Sequence, residues 1–494
     1  MISVEHLTGM GVRGRQDEYY RGVMPLAAPR NLIYQVFVDR FAGPGGAQLP
    51  ALPPSHQPWL HHAGGTLDGV AARLDHITGL GADALYLTPI FPAPSNHKYD
   101  TDSFDDIDPR FGGEAAWRTL VEACRARDLG VILDGVFNHV GEGHTWFAEA
   151  RADAAGARAA WFKFRSHPTD YARWRGHGHL PELDLGHAPV AAALFDAEDA
   201  VLRRWLRRGA TGFRLDCAND LGLEMCARAA AIGRAEAARD GVIGEVMAFA
   251  ADWVARGRLD GVMNYWFRES ILGVARGEVA PAQVQHNLDE MARRYRPEAL
   301  LRSWNVLATH DTPRLATLVP DAAARSFARA MACASPGVPH CYYGEELGLL
   351  GGADPDNRGV MPWPGDGDAA GPEPAVAAEL RALTALRRSH PALREGGYLG
   401  MPQPGAPSLI VFARITARAA ETVLVVANAS ASATRARIFP THSHLHDALP
   451  LRDLAGAAPE ARMQSGSLTV TLAPWQVALY SPDDGSIPGY SFFR

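Results

Sequence analysis

Four carboxylate residues stand at or just beyond the ends of short apolar segments of the chain: Asp134, Asp216, Glu245 and Asp311. A carboxylate buried at the end of a strand is costly unless it is paired or takes part in a reaction. A single one could simply cap the helix that follows the strand. Four at one edge of a sheet instead favour a reaction centre built from carboxylic acids.

The segments around Asp216 and Glu245 suit two opposite roles. In TGFRLD (211–216), Arg214 shares a strand face with Asp216, and its guanidinium is expected to lower the pKa of that carboxyl. In GVIGEV (241–246), apolar neighbours are expected to raise the pKa of Glu245. An anionic carboxylate that attacks and a protonated one that donates are the pair used by glycosidases. A structural Arg–Asp ion pair and a helix-capping glutamate are the alternatives.

The segment NVLATHD (305–311) adds His310 and Asp311 to this set. A third carboxylate could stabilise positive charge that develops on a sugar ring. His310 and His139 could donate hydrogen bonds to sugar hydroxyls, although a single histidine is more often structural.

Eight short apolar segments, most of them separated by helical patterns, position these residues. They are LIYQVF (32–37), ALYLTPI (84–90), GVILDGVF (130–137), TGFRLD (211–216), GVIGEV (241–246), GVMNYW (261–266), NVLATHD (305–311) and GVPHCYYG (337–344). Such runs are typical of strands buried on both faces. Eight strand–helix units predict an α/β fold, a (β/α)8 TIM barrel with its site at the carboxyl ends of the strands. A doubly wound sheet is the competing fold.

The spacing also predicts how the chain divides into domains. We expect the barrel to comprise residues 1–139 and 190–395, with a subdomain of residues 140–189 inserted after the third strand. Strand and turn patterns predict a C-terminal β-sandwich over residues 396–494. Aromatic residues of the insert could stack on sugars or form its own core: Trp146, Trp161, Trp174, His177 and His179.

Composition excludes several other classes of protein. The chain has 494 residues and a net charge of −7, which argues against nucleic-acid binding, because a protein that binds the phosphate backbone needs a basic patch. It shows neither a signal-like start nor an apolar run long enough to cross a membrane. Five scattered cysteines without a CxxC pair suit reduced thiols in the cytoplasm.

The motifs, taken in order, resemble those of the α-amylase superfamily of retaining glycoside hydrolases. They are YQVFVDRF (34–41), NHKYDTDSF (96–104), DGVFNH (134–139), GFRLD (212–216), GEV (244–246), THD (309–311) and DPDNRGVMPW (354–363). LPELD (180–184) resembles the signature of the neopullulanase, cyclomaltodextrinase and intermediate group. That group usually has an additional N-terminal β-domain and dimerises through it, whereas only about thirty residues precede the first predicted strand.

The resemblance implies a role for each candidate residue. Asp216 would be the nucleophile, Glu245 the acid/base, and Asp311 the carboxylate that holds the 2- and 3-hydroxyls. The implied substrate contacts and supports are Tyr99, His97, His139, Arg214, His310, Asp354, Arg358 and Asp134. The implied reaction is retaining hydrolysis, mainly of α-1,4-glucosidic bonds in malto-oligosaccharides or related α-glucans.

The sequence leaves two other functions open and does not decide whether the protein needs a metal ion. A transglycosylase or glucosyl isomerase would use the same glycosyl-enzyme intermediate, and a catalytically silent member would only bind glycans. We expect no required cofactor or metal: calcium is possible but not predicted, because the loop DRFAGPGGAQLP lacks a run of carboxylates. His177 and His179 form an HxH pair that would need further ligands to hold zinc. The oligomeric state is not indicated.

Overall fold

The computed structural model describes residues 29–52, 55–363, 373 and 375–483. Its centre is a closed barrel of eight parallel strands in the order β1-β10-β9-β8-β7-β6-β3-β2. The strands up to the end of the barrel are β1 (Ile33–Val36), β2 (Ala84–Leu87), β3 (Gly130–Gly135), β4 (Phe164–Ser166), β5 (Asp170–Tyr171), β6 (Gly212–Leu215), β7 (Gly241–Val246), β8 (Gly261–Asn264), β9 (Trp304–Asn305) and β10 (Val338–Tyr342). The predicted TIM barrel is confirmed. Residues 1–28 and 484–494, at the outer ends of the predicted domains, lie outside the described ranges.

The barrel strands are buried on both faces, which explains their unbroken apolar sequences. Inward-pointing side chains fill the lumen in a separate cluster that includes Ile33, Tyr86, Ile243 and Trp304. Outward-pointing side chains pack against the surrounding helices. The lumen is therefore a packed core, and side chains reach solvent only at its ends.

The helices follow the strands around the barrel. They span Val38–Phe41, Leu67–Ala72, Leu74–Gly79, Gly113–Arg125, Thr145–Ala152, Ala188–Ala191, Val201–Arg207, Ala218–Ala235, Ala251–Val254, Tyr265–Ala275, Pro281–Arg294, Pro297–Arg302, Leu315–Leu318, Ala322–Ala334, Ala375–Ser389 and Pro391–Glu395. In the described ranges, no helix has the length and apolar character that crossing a membrane requires.

Strands β8 and β9 end earlier than their apolar sequences suggest. Strand β8 stops at Asn264 because its side chain accepts a hydrogen bond from the N–H of Phe267 and starts a helix. Strand β9 comprises only Trp304 and Asn305. The rest of NVLATHD is a loop, since the carbonyl of His310 is held by a side chain instead of a neighbouring strand.

The segment between β3 and β6 folds over the mouth of the barrel. It contains the hairpin β4–β5 and the helix Thr145–Ala152. An isolated antiparallel bridge between His139 and Glu182 ties this segment to the end of β3. Trp146 and Trp161 pack edge to face with ring centroids 4.8 Å apart. Trp161 is buried and Trp146 packs against the same core, so both contribute to the interior packing of the insert.

The C-terminal part of the described chain is antiparallel. Its strands are β11 (Gly397–Gly400), β12 (Leu409–Ile415), β13 (Val423–Asn428), β14 (Thr434–Ile438), β15 (Pro450–Asp453), β16 (Ala461–Arg462), β17 (Leu468–Leu472) and β18 (Val477–Pro482). Six form one sheet, β11-β12-β13-β18-β15-β16, and β14 pairs with β17. Arg414 on β12 is fully buried and donates to the backbone carbonyls of Ala334 and Gly396, which joins this part to the barrel.

Candidate active site

One arginine lies at the centre of the four predicted carboxylates. The Nη1 atom of Arg214 is 2.8 Å from an oxygen of Asp134 and 2.8 Å from an oxygen of Asp216. Its Nη2 atom is 2.7 Å from Glu245 and 3.8 Å from Asp311. Register explains the convergence, because β3, β6 and β7 are neighbours and Arg214 on β6 pairs with Asp134 on β3. Strands β3, β6 and β7 and the loop after β9 thus bring all four carboxylates to one guanidinium.

The charge of this cluster is unbalanced, because two buried cations, Arg214 at its centre and Arg358 beside Asp311, face four carboxylates. Burial raises the pKa of Asp216 to about 8, although Arg214 acts to lower it. The prediction of a lowered pKa for Asp216 is therefore wrong: removal from water outweighs the ion pair. Burial also raises the pKa of Glu245, as predicted, and its hydrogen bond with Asp311 acts in the same direction. The cluster is consequently suited to hold at least one proton near neutral pH.

A chain of hydrogen bonds connects three of the other predicted residues. The rings of Tyr99 and His310 stack with centroids 5.4 Å apart and planes 3° from parallel. The Tyr99 hydroxyl lies 2.5 Å from Nε2 of His310 and donates to Asp134 at 2.8 Å. The same oxygen of Asp134 also accepts from the hydroxyl of Tyr86 at 2.6 Å, and the other oxygen accepts from Arg214, so both oxygens are occupied within the protein. Asp134 is thereby a buried support of the site.

The predicted pair Asp354 and Arg358 is joined to the centre through Asp311. Arg358 lies 3.0 Å from Asp354 and 3.4 Å from Asp311, and its Nε donates to the carbonyl of His310 at 3.0 Å. The Asp354 side chain is half exposed, whereas Arg358 is buried. This loop therefore extends the site outward from the carboxylates.

His97 and His139 complete the set of predicted residues. His97 stacks beside Tyr99, and its Nδ1 accepts the N–H of that residue at 3.1 Å. His139 is buried, and neither ring nitrogen has a hydrogen-bond partner among the described residues. Burial lowers the pKa of His139 to about 3, so its ring is neutral. Trp174 stacks on His139 on one side and on His177 on the other, which fixes the imidazole in place.

Three groups with metal-ligand chemistry meet beside this centre. One ligand atom each from His139, Asp216 and Cys217 lie within 4.8 Å of one another, and no other cluster of three or more His, Cys, Asp or Glu side chains occurs in the described ranges. The HxH pair, His177 and His179, is exposed at the rim and belongs to no such cluster there.

Residues that the motifs did not single out also support the site. The amide of Gln35 on β1 donates to Nδ1 of His310 at 2.7 Å. The amide of Asn357 donates to the carbonyls of His310 and Thr312 at 2.7 and 3.0 Å. Cys217 donates its backbone N–H to Glu245 and its thiol to Asp216, both at 2.9 Å. Of these supporting residues, Gln35 is the one that the sequence could have indicated, because it is a polar residue within the apolar strand segment LIYQVF.

A barrel with paired carboxylates at the carboxyl ends of its strands is the architecture of a carboxylate-dependent glycosidase. The family model described as "Alpha amylase, catalytic domain" matches residues 35–371. The chain therefore belongs to the α-amylase family, and it is a glycoside hydrolase that acts on α-glucosidic bonds.

Several characterised relatives are similar over much of the chain. A cyclomaltodextrinase from Geobacillus thermopakistaniensis is 30% identical over 91% of this chain and 76% of that protein. Neopullulanase 2 from Thermoactinomyces vulgaris is 33% identical over 69% of this chain and 60% of that protein.

Solved structures share the architecture as well. Cyclic α-maltosyl-(1→6)-maltose hydrolase from Arthrobacter globiformis, in complex with maltose, has a TM-score of 0.76 and 28% identity, covering 91% of this chain and 98% of that one. The debranching enzyme from Nostoc punctiforme has a TM-score of 0.78 and 29% identity, covering 91% and 97%.

Proposed function

We propose that this protein hydrolyses short linear and cyclic α-glucans with retention of the anomeric configuration, through a covalent glycosyl-enzyme intermediate. The observation that carries the proposal is the shared contact of Asp216 and Glu245 with Arg214. It places two carboxylates side by side at the barrel mouth, one on each of two neighbouring strands.

In the proposed mechanism, Asp216 attacks the anomeric carbon while Glu245 protonates the departing glycosidic oxygen. Arg214 and the thiol of Cys217 hold Asp216 in place for the attack. After the leaving sugar departs, Glu245 accepts a proton from water, and that water releases the glycosyl group from Asp216. Two inversions at the same carbon preserve the α-configuration.

The remaining residues position the sugar. Asp311 is the most exposed carboxylate of the four, with 29% of its side chain exposed, and it is placed to accept hydrogen bonds from ring hydroxyls. His139 has free ring nitrogens that can bond to the same sugar. His310, Tyr99 and His97 form a stacked wall beside it. Asp354 and Arg358 are placed to bind the next sugar toward the non-reducing end.

The preference for short and cyclic substrates is supported by two observations. The segment between β3 and β6 folds back on the barrel mouth through the bridge of His139 to Glu182. Relatives over most of the chain are named cyclomaltodextrinase. A further relative is named intracellular maltogenic amylase, which supports the cytoplasmic location that we propose.

Product analysis tests this proposal. Maltotriose, cyclodextrin, pullulan and soluble starch are each incubated with the protein, and the first products are followed by NMR. We expect α-anomers first, with the short and cyclic substrates consumed fastest. An initial β-anomer would contradict the double displacement, and longer products at low conversion would favour the transglycosylase alternative.

The variant Asp216→Asn tests the assignment of the nucleophile. We expect turnover to fall by at least about 10⁴-fold, as happens when a catalytic nucleophile is removed. An unchanged circular dichroism spectrum serves as the control for folding. A folded variant with wild-type activity would end the assignment.

A further inference from the structure

His139, Cys217 and Asp216 form a donor set that hydrolysis of a glycoside does not require. Imidazole nitrogen, thiol sulfur and carboxylate oxygen lie within 4.8 Å of one another at the mouth of the barrel. We propose that these three side chains bind a thiophilic divalent cation such as Zn²⁺ or Cd²⁺, and that the bound cation inhibits the enzyme. The inhibition rests on the proposed role of Asp216, whereas the binding does not.

His139 supplies the nitrogen ligand. Its side chain is buried, and both ring nitrogens lack a hydrogen-bond partner in the part of the chain that the structure describes. Burying an imidazole whose nitrogens make no hydrogen bond costs free energy, unless water, substrate or a cation binds to those nitrogens. Because Trp174 and His177 stack in a column behind the ring, the imidazole is already oriented before a ligand arrives.

Cys217 determines which cations fit. Its left-handed backbone, with φ of 47°, turns the chain directly after Asp216. The sulfur then lies 2.9 Å from an oxygen of that carboxylate. Thiolate and imidazole select zinc, cadmium and similar ions, whereas calcium and magnesium prefer oxygen. The thiol is partly exposed, so a cation can reach it from the barrel mouth.

The ligand atoms must rearrange to bind a cation: pairs as far as 4.8 Å apart move closer, and the sulfur and carboxylate oxygen, now 2.9 Å apart, separate. Zinc binds sulfur and nitrogen at about 2.3 and 2.0 Å in a tetrahedral arrangement, which places its ligand atoms about 3.5 Å apart. The cation replaces the thiol proton, which passes to solvent, and forms the metal–sulfur bond. A water molecule or a neighbouring carboxylate then completes the fourth position.

Local charge favours a divalent cation at this place. Within the described ranges, Arg214 is the one cation in contact with Asp134, Asp216 and Glu245, and Asp311 lies near it as well. A divalent ion beside Asp216 neutralises charge that this arginine leaves unbalanced. It also occupies the carboxylate that must attack the substrate, so binding and catalysis exclude each other.

Cadmium titration of the whole chain tests the binding. We expect a thiolate-to-cadmium charge-transfer band in the ultraviolet with one equivalent of Cd²⁺, and its loss in Cys217→Ser. Cys226→Ala, at a buried cysteine away from the site, is the matched control and keeps the band. His139→Gln is the second variant, expected to weaken cadmium binding if Cys217→Ser does not fold.

Zinc inhibition tests the consequence. We expect Zn²⁺ to inhibit wild-type hydrolysis of maltotriose competitively. In Cys217→Ser, measured against its own uninhibited rate, the inhibition constant is expected to rise by at least about tenfold, since loss of even a group that supports a metal ligand commonly costs that much.

Three outcomes separate the binding claim from the functional one. Equal inhibition of wild type and Cys217→Ser, without a cadmium band, overturns the site. Inhibition that disappears instead in a His177→Gln, His179→Gln double variant also overturns it, because the cation then sits at the rim. A cadmium band at Cys217 without inhibition of hydrolysis leaves the site standing and contradicts the role of Asp216.

Discussion

The side-chain amide of Gln35 donates a hydrogen bond to Nδ1 of His310 across 2.7 Å. An amide nitrogen can only donate, so Nδ1 must be the accepting nitrogen and the ring proton must reside on Nε2. Nε2 in turn lies 2.5 Å from the hydroxyl of Tyr99, and that hydroxyl donates its hydrogen bond to Asp134. Gln35 on β1 thereby fixes the direction of the hydrogen bonds that run from His310 through Tyr99 to Asp134.

Replacing Gln35 is expected to disturb this chain. Gln35→Leu leaves Nδ1 of a buried His310 without a partner, which costs about 1–3 kcal/mol. If that cost appears in the transition state, kcat/KM falls by about 5- to 150-fold. Gln35→Glu exchanges the donor for an acceptor, and ¹⁵N NMR of His310 should then show the proton on Nδ1. Wild-type kinetics and an unchanged tautomer in both variants would contradict this role.

The barrel and its carboxylates could be predicted because their signals are local. Short apolar runs alternate with helical patterns, and each acidic residue stands at the end of its own run. Gln35 and Asn357 carried no comparable signal, since 275 and 47 residues separate them from His310. Their importance arises only when the barrel closes and brings those segments together.

The error in the pKa of Asp216 has a related physical cause. Arg214 is visible beside Asp216 in TGFRLD, and the prediction that this arginine acts to lower the pKa of Asp216 is correct. What the sequence does not display is that three further carboxylates share the same guanidinium, or that burial removes Asp216 from water. Desolvation of Asp216 arises only when the barrel folds, and its effect on the pKa outweighs that of the neighbouring Arg214.

Replacing Arg358 is expected to lower activity, even when the replacement is lysine. Its guanidinium reaches Asp354, Asp311 and the carbonyl of His310 at once, which a single ammonium group cannot do. For Arg358→Lys we expect kcat/KM for maltotriose to fall by about 10- to 100-fold, the equivalent of one or two lost charge-assisted hydrogen bonds. Arg165→Lys, at an exposed ion pair of the insert, is the matched control. Equal kinetics in the two variants would remove Arg358 from the site.

Chelation by EDTA is expected to leave activity intact. The segment DRFAGPGGAQLP (39–50), which follows β1, contains one carboxylate that could bind calcium, Asp39. It pairs with Arg40 and accepts the N–H groups of Ala63 and Gly64, so its oxygens are already occupied. Activity measured after dialysis against EDTA, with and without added Ca²⁺, checks this expectation. Prompt inactivation that calcium reverses would show that the protein needs a metal ion.

The buried histidines are expected to lower the stability of the protein as the pH falls below about 6.5, whereas the raised pKa of Asp216 acts in the opposite direction. Burial lowers the pKa of His139, His144 and His340 to about 3 in the folded protein. The unfolded chain binds protons at an ordinary pKa of about 6.5, so between these values the unfolded state takes up more protons and is favoured. Each such histidine costs at most about 2 kcal/mol between pH 6.5 and pH 5.

His144 offers the sharpest test of that pH dependence. Its Nδ1 accepts the N–H of Trp146 at the start of a helix, and asparagine can supply an equivalent acceptor. His144→Asn is therefore expected to fold normally and to show a shallower fall of the urea midpoint between pH 6.5 and pH 5. His177→Asn, at an exposed position, is the matched control and should retain the wild-type slope. If both variants keep the wild-type slope, protonation of His144 does not drive acid unfolding.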